Sequence, residues 1–223
     1  RPNRPDGFEK VTGRAKYGAD ISAVGMLHGA VLRSPYAHAR IKSINFEKAA
    51  KLDGVKAIIT RDDFPKDREG EPLKLLENTI AGEIAYYDGH AIAAVAATSV
   101  FTAKEALKEI EVEYEVLPHV IDVDDAMKPD APIVRENAGD FSVPEGSSPN
   151  VASYIEFGRG DIANGFDKAD IVKSGLFKTE AAHQGYIEPH ACMAQLDHNG
   201  QGEMWVCTQG HWYIRQMLSL IHI

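Results

Sequence analysis

His183–Arg215 reads HQGYIEPHACMAQLDHNGQGEMWVCTQGHWYIR, and the fold is decided here. Two apolar runs, Ala191–Leu196 and Glu203–Gln209, flank the polar, glycine-bearing Asp197–Gly202, which predicts a β-hairpin. The second run is built on Met204, Trp205, Val206 and Cys207 and ends on the amide of Gln209, beside Gly210. An amide at the end of a buried strand must find partners, because an unpaired buried polar group costs about 1–3 kcal/mol. Glycine at the next position would let a bulky group approach the backbone. Two readings follow: Thr208-Gln209-Gly210 forms a wall of a ligand pocket, or it is a strand-to-helix turn with a solvated glutamine. His211–Leu218 then begins a helix.

Working backwards, Asp170–Ala181 alternates and predicts a strand feeding the hairpin. Ser153–Gly158 predicts another, and Asp161–Ala169 a short helix with Asp161 as its N-cap. Residues 126–149 hold four prolines and few apolar side chains, and read as a linker. Before it, strands are predicted at Met26–Arg33, Ala39–Asn45, Val55–Thr60, Ala91–Ala97 and Glu111–Pro118. The wholly apolar Ala91–Ala97 suits a central strand covered on both faces. Glu111–Pro118 alternates Val112, Tyr114 and Val116 against glutamates, as an edge or half-buried strand does. Phe46–Leu52 predicts a short helix stopped by Asp53-Gly54. Ser99–Ile110 predicts a longer one, capped by Ser99 or Thr102, with Phe101, Ala106, Leu107 and Ile110 on one face. Residues 1–20 read as an extended segment, and Arg61–Gly82 as a long charged loop with one helical turn near Leu73–Glu77. The whole predicts a mixed α/β or α+β protein: a domain over 1–125, the linker 126–149 and a second domain from 150.

At 223 residues the chain is long enough for two domains and a sizeable core. Its net charge of −9 argues against nucleic acid or an anionic membrane surface as partner. No apolar run approaches a membrane span and no signal peptide is evident. Cys192 and Cys207 could pair across the hairpin, but two buried reduced thiols in a reducing compartment, the cytoplasm, are expected. His183, Glu188 and His190 lie near one another in sequence. Pro189 breaks any helix there, however, and strand alternation would put His183 opposite the other two, so capping is expected rather than metal binding. Asp62/Asp63 and Asp124/Asp125 are expected as helix N-caps. No phosphate-binding glycine loop, Cys-x2-Cys pair or Gly-x-Ser-x-Gly elbow is present.

Several stretches together resemble one family. Asp6–Ile21, Gly25–Ile44, Leu52–Thr60, Asp88–Ala97 and Ile110–Asp122 resemble the a/b hammerhead domain of the xanthine dehydrogenase/aldehyde oxidase group of molybdenum hydroxylases. Gly160–Phe177, His183–Asp197 and Met204–Arg215 resemble the start of the molybdopterin-binding domain that follows it, here residues 150–217. The resemblance implies hydroxylation of a carbon next to nitrogen or oxygen, with oxygen drawn from water and two electrons passed to molybdenum. The metal is then held by the dithiolene of a molybdopterin, expected as the cytosine dinucleotide, and not by side chains. Thr208-Gln209 matches the strand end whose glutamine amide lies against an oxo ligand, so Gln209 is the expected catalytic residue, and Gln209 and Gly210 the cofactor contacts. The Ser34–Ile41 stretch, SPYAHARI, is assigned packing alone.

The family's later glycine-rich loop and catalytic glutamate fall beyond position 217, so this chain by itself is expected to be inactive. Leu218–Ile223 departs from the family pattern and resembles a translated sequencing adapter. A small-molecule substrate (a purine, an N-heterocycle or an aldehyde, on xanthine dehydrogenase-like lines), an iron–sulfur subunit and a flavin subunit carrying FAD are the implied partners of a hetero-oligomer. A non-catalytic α/β module that docks an iron–sulfur partner is the alternative.

Overall fold

Strand formation in the first half follows the apolar runs closely. A computed structural model describes residues 3–67, 69–135, 143–144 and 146–222. Its strands are β1 (His28–Arg33), β2 (Ala39–Asn45), β3 (Val55–Ile59), β4 (Ile84–Ala85), β5 (Ala91–Ala97), β6 (Glu111–Val116), β7 (Cys192–Leu196) and β8 (Gly202–Val206). The α-helices are α1 (Gly7–Val11), α2 (Glu47–Ala50), α3 (Gly70–Thr79), α4 (Val100–Lys108), α5 (Val123–Ala126), α6 (Ile162–Asp167) and α7 (His211–His222). The strands form two three-stranded sheets, ordered β1-β5-β3 and β4-β2-β6, and the hairpin β7-β8. Every ladder is antiparallel, the α+β form of the mixed class. The chain gathers into two compact units, residues 1–119 with 187–223, and residues 120–186.

In the first unit β5 is central, as its composition requires. One face of β5 buries Ala93 and Val95 against Ala49 of α2 and Ala106 of α4, with Ile110 beside them. On the other face Ile92 is fully buried with Ala81 and Ala85, against Ile41, Ile44, Val112 and Tyr114 of the second sheet. Ile41 and Ile44 are three apart, a spacing that would put them on opposite faces of a regular strand. A register shift between Ile41 and Ser43 inserts a bulge that turns both inward. The same device between Val55 and Ala57 turns Val55 and Ile58 to one side of β3. Edge strand β6 carries Glu111, Glu113 and Glu115, charges that discourage further pairing.

Short polar contacts fix the connections. Gly54, at φ 88°, ends the α2 turn, and a Cβ there would lie 2.6 Å from the Thr98 hydroxyl. Ser99 caps α4 by accepting the Thr102 N–H at 3.0 Å. Ser99→Ala should therefore lower stability by about 1 kcal/mol, read as a reduced denaturant midpoint; no change would show the cap to be idle. Within the Ser34–Ile41 stretch, Ser34 is buried and exchanges backbone hydrogen bonds with Gly89 and His90. Tyr36 meets Tyr114 edge-on, and His38 donates from Nδ1 to the Pro118 carbonyl at 2.7 Å. The packing role expected of this stretch is thus observed in detail.

Several expected elements differ. Residues 61–82 are not a long loop: a 3-10 turn at Arg61–Asp63 precedes the ten-residue α3. Leu76 on that helix and Ile80 at its C-cap are buried, with the half-buried Phe64, Leu75 and Leu218 of α7 packed against them. Residues 3–20 hold α1 and a 3-10 turn at Gly18–Asp20 where extended chain was expected; the first two residues lie outside the described ones. Phe101 points outward, 73% exposed, because Ala103 and Ala106 take the inner face of α4. The acidic pairs cap only in part. Asp63 completes a capping box with Thr60, Asp62 pairs with Lys66, and Asp122 rather than Asp124 or Asp125 caps α5.

In the second unit, Asp161 caps α6 as expected, accepting the Asn164 N–H at 3.0 Å. Ser153–Gly158 and Asp170–Ala181, however, are not strands. Alternation supplies an apolar face but not a ladder partner, and neither segment is paired here; Phe157 and Phe177 are over 90% exposed. Asn150 gathers the preceding turns, donating to the Ala126 and Pro132 carbonyls at 3.0 and 2.9 Å and accepting the Val134 N–H at 3.0 Å.

Candidate functional site

The predicted hairpin is present, pairing Cys192 with Val206, Met193 with Trp205 and Leu196 with Gly202. Its turn is set by Asp197, whose carboxylate accepts the Asn199 and Gln201 N–H groups at 2.8 Å each. Because alternate residues face opposite ways, Ala191, Met193, Trp205 and Cys207 form the half-buried face, while Cys192 and Ala194 are exposed. This corrects two expectations. Cys192 is not buried, and it lies on the opposite face from Cys207, so a cross-hairpin disulfide has no route; both thiols are free. Trp205 is only half-buried. Trp205→Ala should cost about 1–2 kcal/mol, below the 3–5 of a fully buried indole, and a measured loss above 3 would contradict the observed exposure.

Past β8 the chain turns at Thr208-Gln209-Gly210 into α7. The Thr208 hydroxyl accepts the Gly210 N–H at 3.1 Å, and the Gly210 carbonyl accepts from Ile214 at 3.0 Å as the helix begins. Gln209 is exposed, and its carboxamide makes no hydrogen bond to any described residue. A Cβ at Gly210 would find Tyr213 Cβ at an ordinary 3.6 Å, so no close backbone approach explains that glycine among the described residues. A cavity of about 580 Å³ lies alongside, lined by parts of residues 18–29 and by Ala191–Gln195. Thr208, Gln209 and Gly210 are not among its walls.

Below the turn, Glu188 connects three segments. Its Oε1 accepts the Gly18 N–H at 3.4 Å, and its charge reaches the Cys207 thiol. The Cys207 thiol is held above its usual range, first by burial, then by the charge of Glu188 and the hydrogen bond to it. The Cys207 N–H in turn donates to the Ala191 carbonyl at 3.2 Å. In sequence Glu188 stood out only as a metal-ligand candidate. Among the described residues no three His, Cys, Asp or Glu side chains are grouped to hold a metal ion. His183 instead accepts the Gly185 N–H on Nδ1 at 3.1 Å and stands beside the Tyr186 ring.

The donor set at the turn is therefore a neutral carboxamide next to the start of a twelve-residue helix, whose first N–H groups lack intrahelical partners. Such a set suits an oxygen carrying negative charge.

Comparison with known proteins decides the family. Residues 12–118 match the model for the aldehyde oxidase and xanthine dehydrogenase a/b hammerhead domain, and residues 143–222 match that for the molybdopterin cofactor-binding domain. This chain belongs to the xanthine dehydrogenase/aldehyde oxidase family of molybdenum hydroxylases. It is 34% identical over 98% of its length to a probable xanthine dehydrogenase subunit of Bacillus subtilis (strain 168), covering 28% of that protein. It is also 34% identical over 94% of its length to the nicotinate dehydrogenase large molybdopterin subunit of Eubacterium barkeri, covering 47%. Among solved structures, reconstituted CO dehydrogenase from Oligotropha carboxidovorans superimposes with a TM-score of 0.79 at 28% identity, over 98% of this chain and 28% of that one. The chain thus spans under half the length of each. Within the family match, the Thr208–Gly210 turn falls inside the cofactor-binding domain. No helix among the described residues is long and apolar enough to cross a membrane.

Proposed function

We propose that this chain is part of the molybdenum-containing subunit of a hydroxylase that oxidises a purine, another N-heterocycle or an aldehyde with oxygen taken from water. The observation that carries the reading is Gln209, an exposed amide with no hydrogen-bond partner among the described residues, at a strand-to-helix turn inside the cofactor-binding domain. A molybdopterin, in its cytosine dinucleotide form, would supply a metal able to take up the substrate's two electrons. Gln209 and the Gly210 backbone contribute neutral hydrogen bonding toward the metal's oxygen ligand. A neutral donor adds no charge to a buried oxygen and needs no reorganisation as the metal is reduced. The names of two of the relatives, xanthine dehydrogenase and nicotinate dehydrogenase, favour an N-heterocycle.

The proposed domains are a hammerhead over 1–125, a linker over 126–149 and cofactor-binding chain over 150–217, with 218–223 as adapter-derived sequence. An iron–sulfur subunit and a flavin subunit carrying FAD would take the electrons onward, in a cytoplasmic hetero-oligomer. Because the chain spans under half of each of these relatives, its 223 residues alone neither retain the cofactor nor turn over.

The test is to express the complete gene with its cofactor-synthesis machinery and offer purines, nicotinate-like heterocycles and aldehydes with an artificial electron acceptor. Turnover with a heterocycle is expected. Protein loaded with molybdenum but inert towards all three classes would contradict the reading, and stoichiometric molybdenum in this purified chain would contradict the inactivity of the piece.

A further inference from the structure

We propose that Glu188 is a positioning residue. By accepting the Gly18 N–H, it holds the 3-10 turn at Gly18–Asp20 against the base of the hairpin, where β8 gives way to Thr208 and Gln209. The catalytic meaning of the clamp rests on the reading of Gln209 above; its existence does not.

Three observations converge on it. The first is reach. Glu188 is half-buried, and Gly18 lies 170 residues earlier in the chain, so their hydrogen bond at 3.4 Å ties the leading segment to the base of the hairpin. The second is steric. A Cβ on Gly18 would sit 3.3 Å from the Ala191 carbonyl oxygen and 3.6 Å from the Cys207 nitrogen. Those two backbone groups form the hydrogen bond that closes the open end of the hairpin, so the turn packs directly on the pair from which β8 departs. The third is chemical. The Cys207 thiol shares the half-buried face with Trp205 and senses the Glu188 carboxylate, to which a neutral S–H can donate. Gln209 follows two residues later, and nothing else among the described hydrogen bonds restrains its side chain. The backbone at Cys207 is thus the last anchored point before the amide. The 3-10 turn is itself braced, since the Tyr17 N–H donates to Asp20 Oδ2 at 3.0 Å.

The test uses the full chain with Cys192→Ser, so that Cys207 is the sole thiol. Iodoacetamide alkylation is followed against pH, and amide exchange over residues 207–210 is measured alongside. Glu188→Gln keeps an oxygen for the Gly18 N–H but removes the charge. The alkylation midpoint should fall, reaction below it should speed up several-fold, and amide exchange should stay close to that of the parent. Glu188→Ala removes both the acceptor and the charge, and should lower the midpoint and also speed exchange at residues 207–210. A Cys207 midpoint unmoved in both variants overturns the proposal, as does unchanged exchange in Glu188→Ala. The two readings fail separately. If Gln209→Ala in the complete enzyme leaves turnover intact while Cys207 responds to Glu188, the clamp stands and the role of Gln209 falls; the reverse pattern removes the clamp alone.

Discussion

Replacing Gln209 with alanine in the complete enzyme should lower kcat about 10²–10³-fold, the usual loss when one pre-aligned donor to developing charge is removed. Stability should change by no more than about 0.5 kcal/mol, because the side chain is exposed and makes no hydrogen bond to the described residues. That split separates a catalytic amide from a structural one. A turn glutamine that merely braced α7 would show the opposite: a lower denaturation midpoint with kcat intact. Steady-state kinetics and urea denaturation on the same preparation read both quantities. Turnover within two-fold of the parent would remove Gln209 from the chemistry.

The largest expected effect on stability is at Ile92. It sits in the central strand β5, is fully buried, and fills the space between the two sheets beside Ala81 and Ala85. Around it lie Ala81 and Ala85 and, from the second sheet, Ile41, Ile44, Val112 and Tyr114, side chains held on paired strands that relax only partly into a void. Ile92→Ala should therefore cost about 2–5 kcal/mol, a large share of the roughly 5–15 kcal/mol by which a domain is stable. Urea unfolding followed by fluorescence tests this; a loss below 1 kcal/mol would mean that the two sheets are not packed through this residue.

How much of this was legible in the sequence depended on whether a signal was local. β5 was readable because seven small apolar residues in a row suit little else than a covered central strand. α4 was readable from Ser99, and the hairpin from Asp197–Gly202, since caps and turns are written in adjacent residues. α3 showed only as one turn near Leu73–Glu77, because Gly70, Pro72 and surrounding charges disguise a helix that is stabilised chiefly by what Leu76 and Ile80 meet from elsewhere in the chain. The bulges in β2 and β3 carried a faint trace, an apolar spacing of three inside a strand, recognisable once the pairing is known. Ser153–Gly158 and Asp170–Ala181 failed the other way: their alternation is real, but a strand also needs a partner.

The site divides along the same line. That an amide follows the second hairpin strand was visible in the residues, although β8 ends at Val206 and leaves Gln209 in the turn; its chemistry came only from the family resemblance. Its surroundings here are more open than a strand ending on a buried amide suggested. Glu188 was noticed for the wrong reason, because sequence proximity to two histidines hinted at a metal while its actual contacts, Gly18 and Cys207, are distant in the chain. The cysteines show the value of register: a two-residue alternation, once fixed by Met193 opposite Trp205, settles that the two thiols face apart.

The most direct measurement is a crystal structure of the complete, cofactor-loaded protein, read at a single distance. The Gln209 carboxamide nitrogen should lie within about 2.7–3.2 Å of an oxygen ligand of the molybdenum. A carboxamide more than 5 Å from any ligand of the metal, still turned to solvent as α7 begins, would contradict the account.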